Sequence, residues 1–136
     1  MSYGVGAYKK TSVGTATKEQ ILLMLYQAGI KHCKKAMKAI KEKDIPKKGE
    51  SIGKLQDIII ELNNSLDFEV GGTIAQELSS LYDYILHAST EANIKIDVKP
   101  LEGALSVLIT LYEGWNEAIK SLKNSPDTTR QASVQK

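Results

Sequence analysis

Asp83, His87 and Glu91 recur at intervals of four residues, a spacing that stacks their side chains on one face of an α-helix. Two carboxylates and an imidazole are groups that can hold a metal or act as a base. A carboxylate-bridged metal site in a helical bundle, however, draws Glu and Glu-x-x-His ligands from several helices, and no such set recurs. The trio therefore reads as an exposed charge ladder. His32 and Cys33 are neighbours, but consecutive helical residues diverge by about 100°, so they form no nucleophile–base pair. Gly4-Val5-Gly6 and Gly71-Gly72 lack the strand context and the Lys-Ser/Thr ending of a phosphate loop. These residues predict a protein that is not an enzyme, with no cofactor and no metal.

Nucleic acid fits no better. Lysines crowd the first half of the chain, where residues 1–54 hold 12 Lys against 4 acidic residues; residues 55–136 hold 6 Lys or Arg against 12 acidic residues. That polarity can orient a partner or a second copy, or it can be a solvated lysine face. No Arg occurs in the first 129 residues, and Arg is the favoured base reader. Nor are aromatic residues interleaved with the lysines.

The elements that must position these groups are helical. Thr17 and Gln20 have capping-box spacing, and Glu19 suits the positive helix end. From there Leu22, Tyr26, Gly29, Cys33, Ala36 and Ile40 keep to one face, with a stop expected near Lys43, before Asp44-Ile45-Pro46. A second helix is predicted over Glu50–Leu66, its stripe being Ile52, Leu55, Ile59, Leu62 and Leu66, with Ile58 widening that face and Ile60 partly outside it. After a Gly-Gly turn signal, Thr73 and Gln76 repeat the capping-box spacing, followed by Ile74, Leu78, Leu81, Ile85, Ala88 and Ala92. A fourth helix follows Asp97, with Pro100 in its first turn, and carries Leu101, Leu105, Leu108, Tyr112, Trp115, Ile119 and Leu122. Short connections make an all-α, antiparallel up-down four-helix bundle the simplest fold. The expected organisation is a mobile N-terminal arm at 1–16, the bundle at 17–123 and a disordered polar tail at 124–136. The arm is loop-like yet carries Tyr3, Val5, Tyr8 and Val13, more apolar bulk than a plain disordered tail.

At 136 residues with a single cysteine, the chain can bury a core without an internal disulfide. Its start has no apolar signal-peptide region, and no apolar run approaches the ~18–20 residues of a membrane span. A cytoplasmic protein is expected. Apolar residues exceed what one core stripe requires. Ile58-Ile59-Ile60 and Val107-Leu108-Ile109, followed by Leu111 and Tyr112, wrap about 200° of a helix, where a bundle face needs about 100°. The excess either fills a generous interior or leaves a groove for a peptide.

In order along the chain, Ala7-Tyr8, Thr15-Ala16-Thr17-Lys18-Glu19-Gln20, Ile21-Leu22-Leu23-Met24-Leu25-Tyr26, Asp57-Ile58-Ile59-Ile60-Glu61-Leu62, Ser65-Leu66-Asp67, Gly71-Gly72-Thr73-Ile74-Ala75, Leu81-Tyr82-Asp83-Tyr84-Ile85, Glu91-Ala92-Asn93-Ile94, Asp97 and Trp115 resemble the FliS flagellin export chaperones over roughly residues 5–120. The resemblance implies a helical bundle that holds the C-terminal segment of flagellin in the cytoplasm, prevents premature polymerisation and keeps the client competent for the flagellar type III export apparatus. It also implies an N-terminal arm that lies over part of the binding surface, with Val5 and Tyr8 the matching arm residues. The chain departs from the family pattern at Gln27-Ala28-Gly29, where an Asp-Gly-Ala order usually follows the Tyr, at His32-Cys33, which replace larger apolar residues, and at Pro100. On this reading the client groove is expected from Ile58, Leu62, Leu81, Tyr84, Ile85, Leu108, Leu111 and Trp115, with Val5 and Tyr8 as a movable cover. The alternative is a self-associating helical module, a homodimer formed through the apolar excess.

Overall fold

The computed structural model describes residues 16–124, which form four α-helices: α1 (Lys18–Lys41), α2 (Ile45–Asn64), α3 (Phe68–Lys95) and α4 (Lys99–Asn124). Residues 1–15 and 125–136 lie outside the described residues, and with them Val5, Tyr8 and most of the expected arm and tail.

Local chemistry sets the helix starts. The Thr17 hydroxyl accepts from the Gln20 backbone N–H (3.1 Å), and the Gln20 side chain accepts from the Thr17 N–H (2.9 Å). The capping box is therefore complete. Asp44 caps α2 by accepting from Lys47 N–H (3.2 Å), and Pro46 occupies the first turn, where a missing N–H breaks no helical bond. The segment predicted to be a break is thus the start of α2, five residues before the expected Glu50. Asp67, not Thr73, is the N-cap of α3 and accepts from Glu69 and Val70 N–H (both 3.1 Å). Gly72 then interrupts α3 at φ 51°, ψ −123°, a left-handed φ that favours glycine.

Each helix packs on its chain neighbours, and α4 closes back on α1. On α1 and α4, Tyr26 meets Trp115, a Cβ at Gly29 would touch Leu108, and the Cys33 thiol donates to the Leu101 carbonyl (3.6 Å). Numbers rise on one helix as they fall on the other, so the pair is antiparallel. Lys48 on Asn93 and Gln56 on Ser89 and Thr90 give the same sense for α2 and α3.

The α2 stripe is as predicted as far as Leu62: Ile52, Leu55, Ile59 and Leu62 are buried, Ile58 is half-buried and Ile60 exposed, whereas Leu66, expected to end the stripe, lies past the helix end and is half-buried. On α3 the face is turned. Ala75 and Tyr82 are buried beside Leu78, Ile85, Ala88 and Ala92, whereas Ile74, expected in the core, is 63% exposed. On α4, Leu122 is likewise exposed. Among the described residues, no helix is long and apolar enough to cross a membrane.

Candidate functional site

One end of the bundle gathers the start of α1, the α2–α3 connection, the first turns of α3 and the later part of α4. There an open cleft of about 270 Å³ is lined by Leu22, Ser65, Leu66, Asp67, Val70, Gly71, Ile74, Ala75, Leu78, Tyr82 and Trp115. Leu22 is placed by the capping box one turn earlier, and Val70 by the Asp67 cap. The break at Gly72 separates Phe68–Gly71 from the main run of α3, and Val70 and Ile74 stand on either side of it, 86% and 63% exposed. A Cβ at Gly71 would sit 2.9 Å from the Ala75 Cβ, closer than real side chains approach, so any larger residue there would force the first turn of α3 to shift away from the main helix.

The floor is aromatic and locked. Buried Tyr82 shares a hydrogen bond with buried Tyr26 (hydroxyl to hydroxyl, 2.5 Å), and the Trp115 indole N–H donates to the Tyr26 hydroxyl (3.3 Å). Burial raises the Tyr26 pKa, with the bonds to Tyr82 and Trp115 opposing; burial and the neighbouring Tyr26 raise that of Tyr82. Both phenols are therefore neutral at physiological pH. Asp67 is the one acidic side chain in the lining, and its carboxylate is engaged as the α3 cap. The Ser65 hydroxyl in the lining donates to the Leu62 carbonyl (2.8 Å), so the cleft offers mainly aliphatic and aromatic surface whose polar groups are engaged within the fold, a surface suited to apolar side chains of another chain.

The sequence-predicted groove residues fall into two groups. Trp115 lines the cleft. Ile58, Leu81 and Leu111 are half-buried and Tyr84 is 45% exposed, so each keeps outward surface. Leu62, Ile85 and Leu108 have no accessible surface and belong to the core cluster; they meet neighbouring helices on the inside and are corrected from groove to core. Sequence reasoning did not assign Leu22, Leu66, Val70, Ile74, Leu78 and Tyr82 to the site. A usable signal was the placement of Val70 and Ile74 on either side of Gly71-Gly72, apolar residues flanking a helix break. In the charge ladder, His87 Nδ1 bonds the Asp83 backbone carbonyl (2.9 Å) and Glu91 pairs with Lys95 (3.0 Å). Among the described residues, no three His, Cys, Asp or Glu side chains cluster to hold a metal.

Residues 1–122 match the family model of flagellar protein FliS. The chain belongs to the FliS family. Flagellar secretion chaperones of that family include one from Vibrio cholerae, 36% identical over 115 residues (82% of this chain, 85% of the relative), and one from Bacillus subtilis, 34% identical over 115 residues (85% of each). In fold, the bundle is similar to the crystal structure of a bacterial flagellar chaperone, with a TM-score of 0.72 at 20% identity, covering 88% of this chain and 97% of that one. FliS proteins are chaperones and not enzymes, so what matters at this site is what the surface grips. The family match runs from the arm through Trp115 and Ile119, so every residue lining the cleft lies within it.

Proposed function

We propose that this FliS-family chain binds the C-terminal segment of newly made flagellin in the cytoplasm, prevents its premature polymerisation and keeps it competent for the flagellar export apparatus. The observation that carries this reading is the apolar cleft at the open end of the bundle, with Val70 and Ile74 standing exposed on its rim. A client segment that is disordered when free meets its ordering cost on binding. Apolar burial, at about 25 cal/mol per Å², offsets that cost. Trp115 and the half-exposed Ile58, Leu81, Tyr84 and Leu111 extend the grip along the helices, and Val5 and Tyr8 of the arm act as a displaceable cover. No nucleotide chemistry is invoked: the chaperone holds one client per bundle, and release follows from competition by the export apparatus.

Calorimetric titration with the C-terminal peptide of flagellin from the same organism tests this. Saturable binding at or below the ~10 μM range, about −7 kcal/mol, is expected. Absence of binding at several times that concentration overturns the reading. Light scattering with and without the peptide separates it from self-association, since a stable dimer indifferent to the peptide would favour the latter.

A further inference from the structure

Between residues 30 and 41, every exposed side chain of α1 is a lysine: Lys31, Lys34, Lys35, Lys38 and Lys41. Steps of three and four align them in one stripe about 15 Å long. No acidic residue lies between Glu19 and Glu42, and among the described residues the stripe's one ion pair is Lys38 with Glu42 at 3.9 Å. Like charges three and four positions apart each destabilise a helix by a few tenths of a kcal/mol. Other lysines of the bundle avoid this: Lys47 and Lys54 pair with Glu50, and Lys95 pairs with Glu91. The positive region continues across the seam to α2. Half-buried His32, whose Nδ1 has no hydrogen-bond partner, has its pKa lowered first by burial, then by Lys54, Lys31 and Lys35, with Glu50 alone opposing.

We propose that this lysine stripe is a docking surface for an acidic polypeptide segment of another protein, distinct from the cleft. A self-repelling row with almost no internal counter-charge is relieved when carboxylates are supplied from outside. Two other polyanions fit less well. The stripe carries no arginine and no exposed aromatic on which bases stack. Ile30 and Met37 beside it are packed against the core, which leaves no apolar side chain to enter a lipid surface. Lys31 lies nine residues beyond the cleft residue Leu22, about 13 Å along the helix axis. A cleft ligand and an acidic partner therefore fit at once, and this proposal stands whether or not the cleft holds flagellin.

The test uses the full chain and a labelled oligo-glutamate peptide long enough to span the stripe, followed by fluorescence anisotropy. Oligo-glutamine, single-stranded DNA and phosphatidylglycerol vesicles run as parallel arms. Expected are binding of oligo-glutamate but not oligo-glutamine, and about tenfold weakening between ~50 and ~300 mM NaCl as screening shortens. Lys34→Gln/Lys35→Gln/Lys38→Gln should lose about tenfold in affinity, whereas the control Lys99→Gln/Lys120→Gln, two exposed lysines of α4, should lose under twofold. The triple variant should also melt no lower than the parent, because repulsion along α1 is relieved. Equal losses in both variants, no binding of oligo-glutamate at low salt, or tighter binding of DNA or vesicles through the same three lysines would each overturn the proposal.

Discussion

The two ends of the bundle are built from different materials. At the end where α1 turns into α2 and α3 into α4, the interior is made of small side chains, Ala36, Ala39, Ser51, Ala88, Ser89 and Ala92, with Ile52 and Leu101 wedged among them. Lys48 is buried there, and its ammonium donates to the Asn93 carbonyl near the end of α3 (2.8 Å), a favourable place for a cation. The same end carries the exposed Lys43 and Ile96 in left-handed conformation at φ 59° and 52°, which costs about 1–2 kcal/mol for each non-glycine residue and closes each helix end with a backbone bond, Asp44 N–H to the Ala39 carbonyl (2.9 Å) and Asp97 N–H to the Ala92 carbonyl (3.2 Å). At the other end the interior is made of Tyr26, Tyr82 and Trp115, joined by hydrogen bonds, and the apolar surface runs outward into the cleft. Small residues let helices approach closely. Large rings hold them apart and leave edges for a partner. The contrast separates what stabilises the fold from what binds.

The largest effect that would test this contrast is on stability, at the closed end. Leu101→Ala removes a fully buried side chain and is expected to cost about 2–5 kcal/mol in chemical denaturation, while the variant that remains folded binds the flagellin peptide with unchanged affinity. Loss of affinity without loss of stability would erase the division between the ends. Next is the aromatic floor. Tyr26→Phe leaves the Tyr82 hydroxyl and the Trp115 N–H without their shared partner and should destabilise by about 1–3 kcal/mol. Tyr26→Phe/Tyr82→Phe should recover part of that. Trp115 is the one tryptophan, so its emission reports directly whether the indole has moved. A smaller free-energy effect is expected at the rim. Ile74→Asp places a charge on a 63% exposed position, should change stability by no more than about 0.5 kcal/mol, and should weaken the flagellin peptide about tenfold, close to 1.4 kcal/mol. If binding is unaffected, the cleft is not where the client sits.

Much of this division was legible in the sequence, and the parts that were not have physical causes. Periodicity located the four helices and the α2 stripe because a 3.6-residue repeat directly reflects which face is apolar. On α3 it placed Leu78, Ile85, Ala88 and Ala92 inside but chose Ile74 and Leu81 where Ala75 and Tyr82 turn fully inward, because both pairs keep helical spacing to Leu78 and Ile85 and the aliphatic pair is the more apolar. Asp44-Ile45-Pro46 looked like a stop, yet proline in a first turn is also a start, and only the Asp44 cap decides which. Leu62, Ile85 and Leu108 were placed in a groove because runs of apolar residues show an excess without showing where a neighbouring helix covers it. Val70 was overlooked for the opposite reason: an isolated valine beside two glycines has no period to belong to, and its importance comes from the end of the bundle on which the break places it.

The closed end also contains the group that offers the most selective probe. Burial pushes the Cys33 thiol up to about 12, from a reference of 9.0. In the unfolded chain the thiol loses its proton from about pH 9 upward, whereas in the fold it keeps it until about pH 12, so over that window the unfolded state binds fewer protons and stability falls as pH rises. Below pH 9 both states are protonated and this stabilisation is fully present. The slope contributed by one such group is at most about 1.4 kcal/mol per pH unit. Tyr26 and Tyr82 at the open end have raised values too, but an unfolded phenol begins to ionise only near pH 10. Between pH 9 and 10 the stability loss should therefore come from Cys33, and above pH 10 the open-end pair should add to it. Denaturant midpoints measured across this range for the parent and for Cys33→Ala separate the two, since the variant should be flat between pH 9 and 10 and should keep above pH 10 only the slope of the phenol pair. A slope between pH 9 and 10 that survives the substitution would mean that the thiol is not sealed and that the small-residue end is more open than its packing indicates.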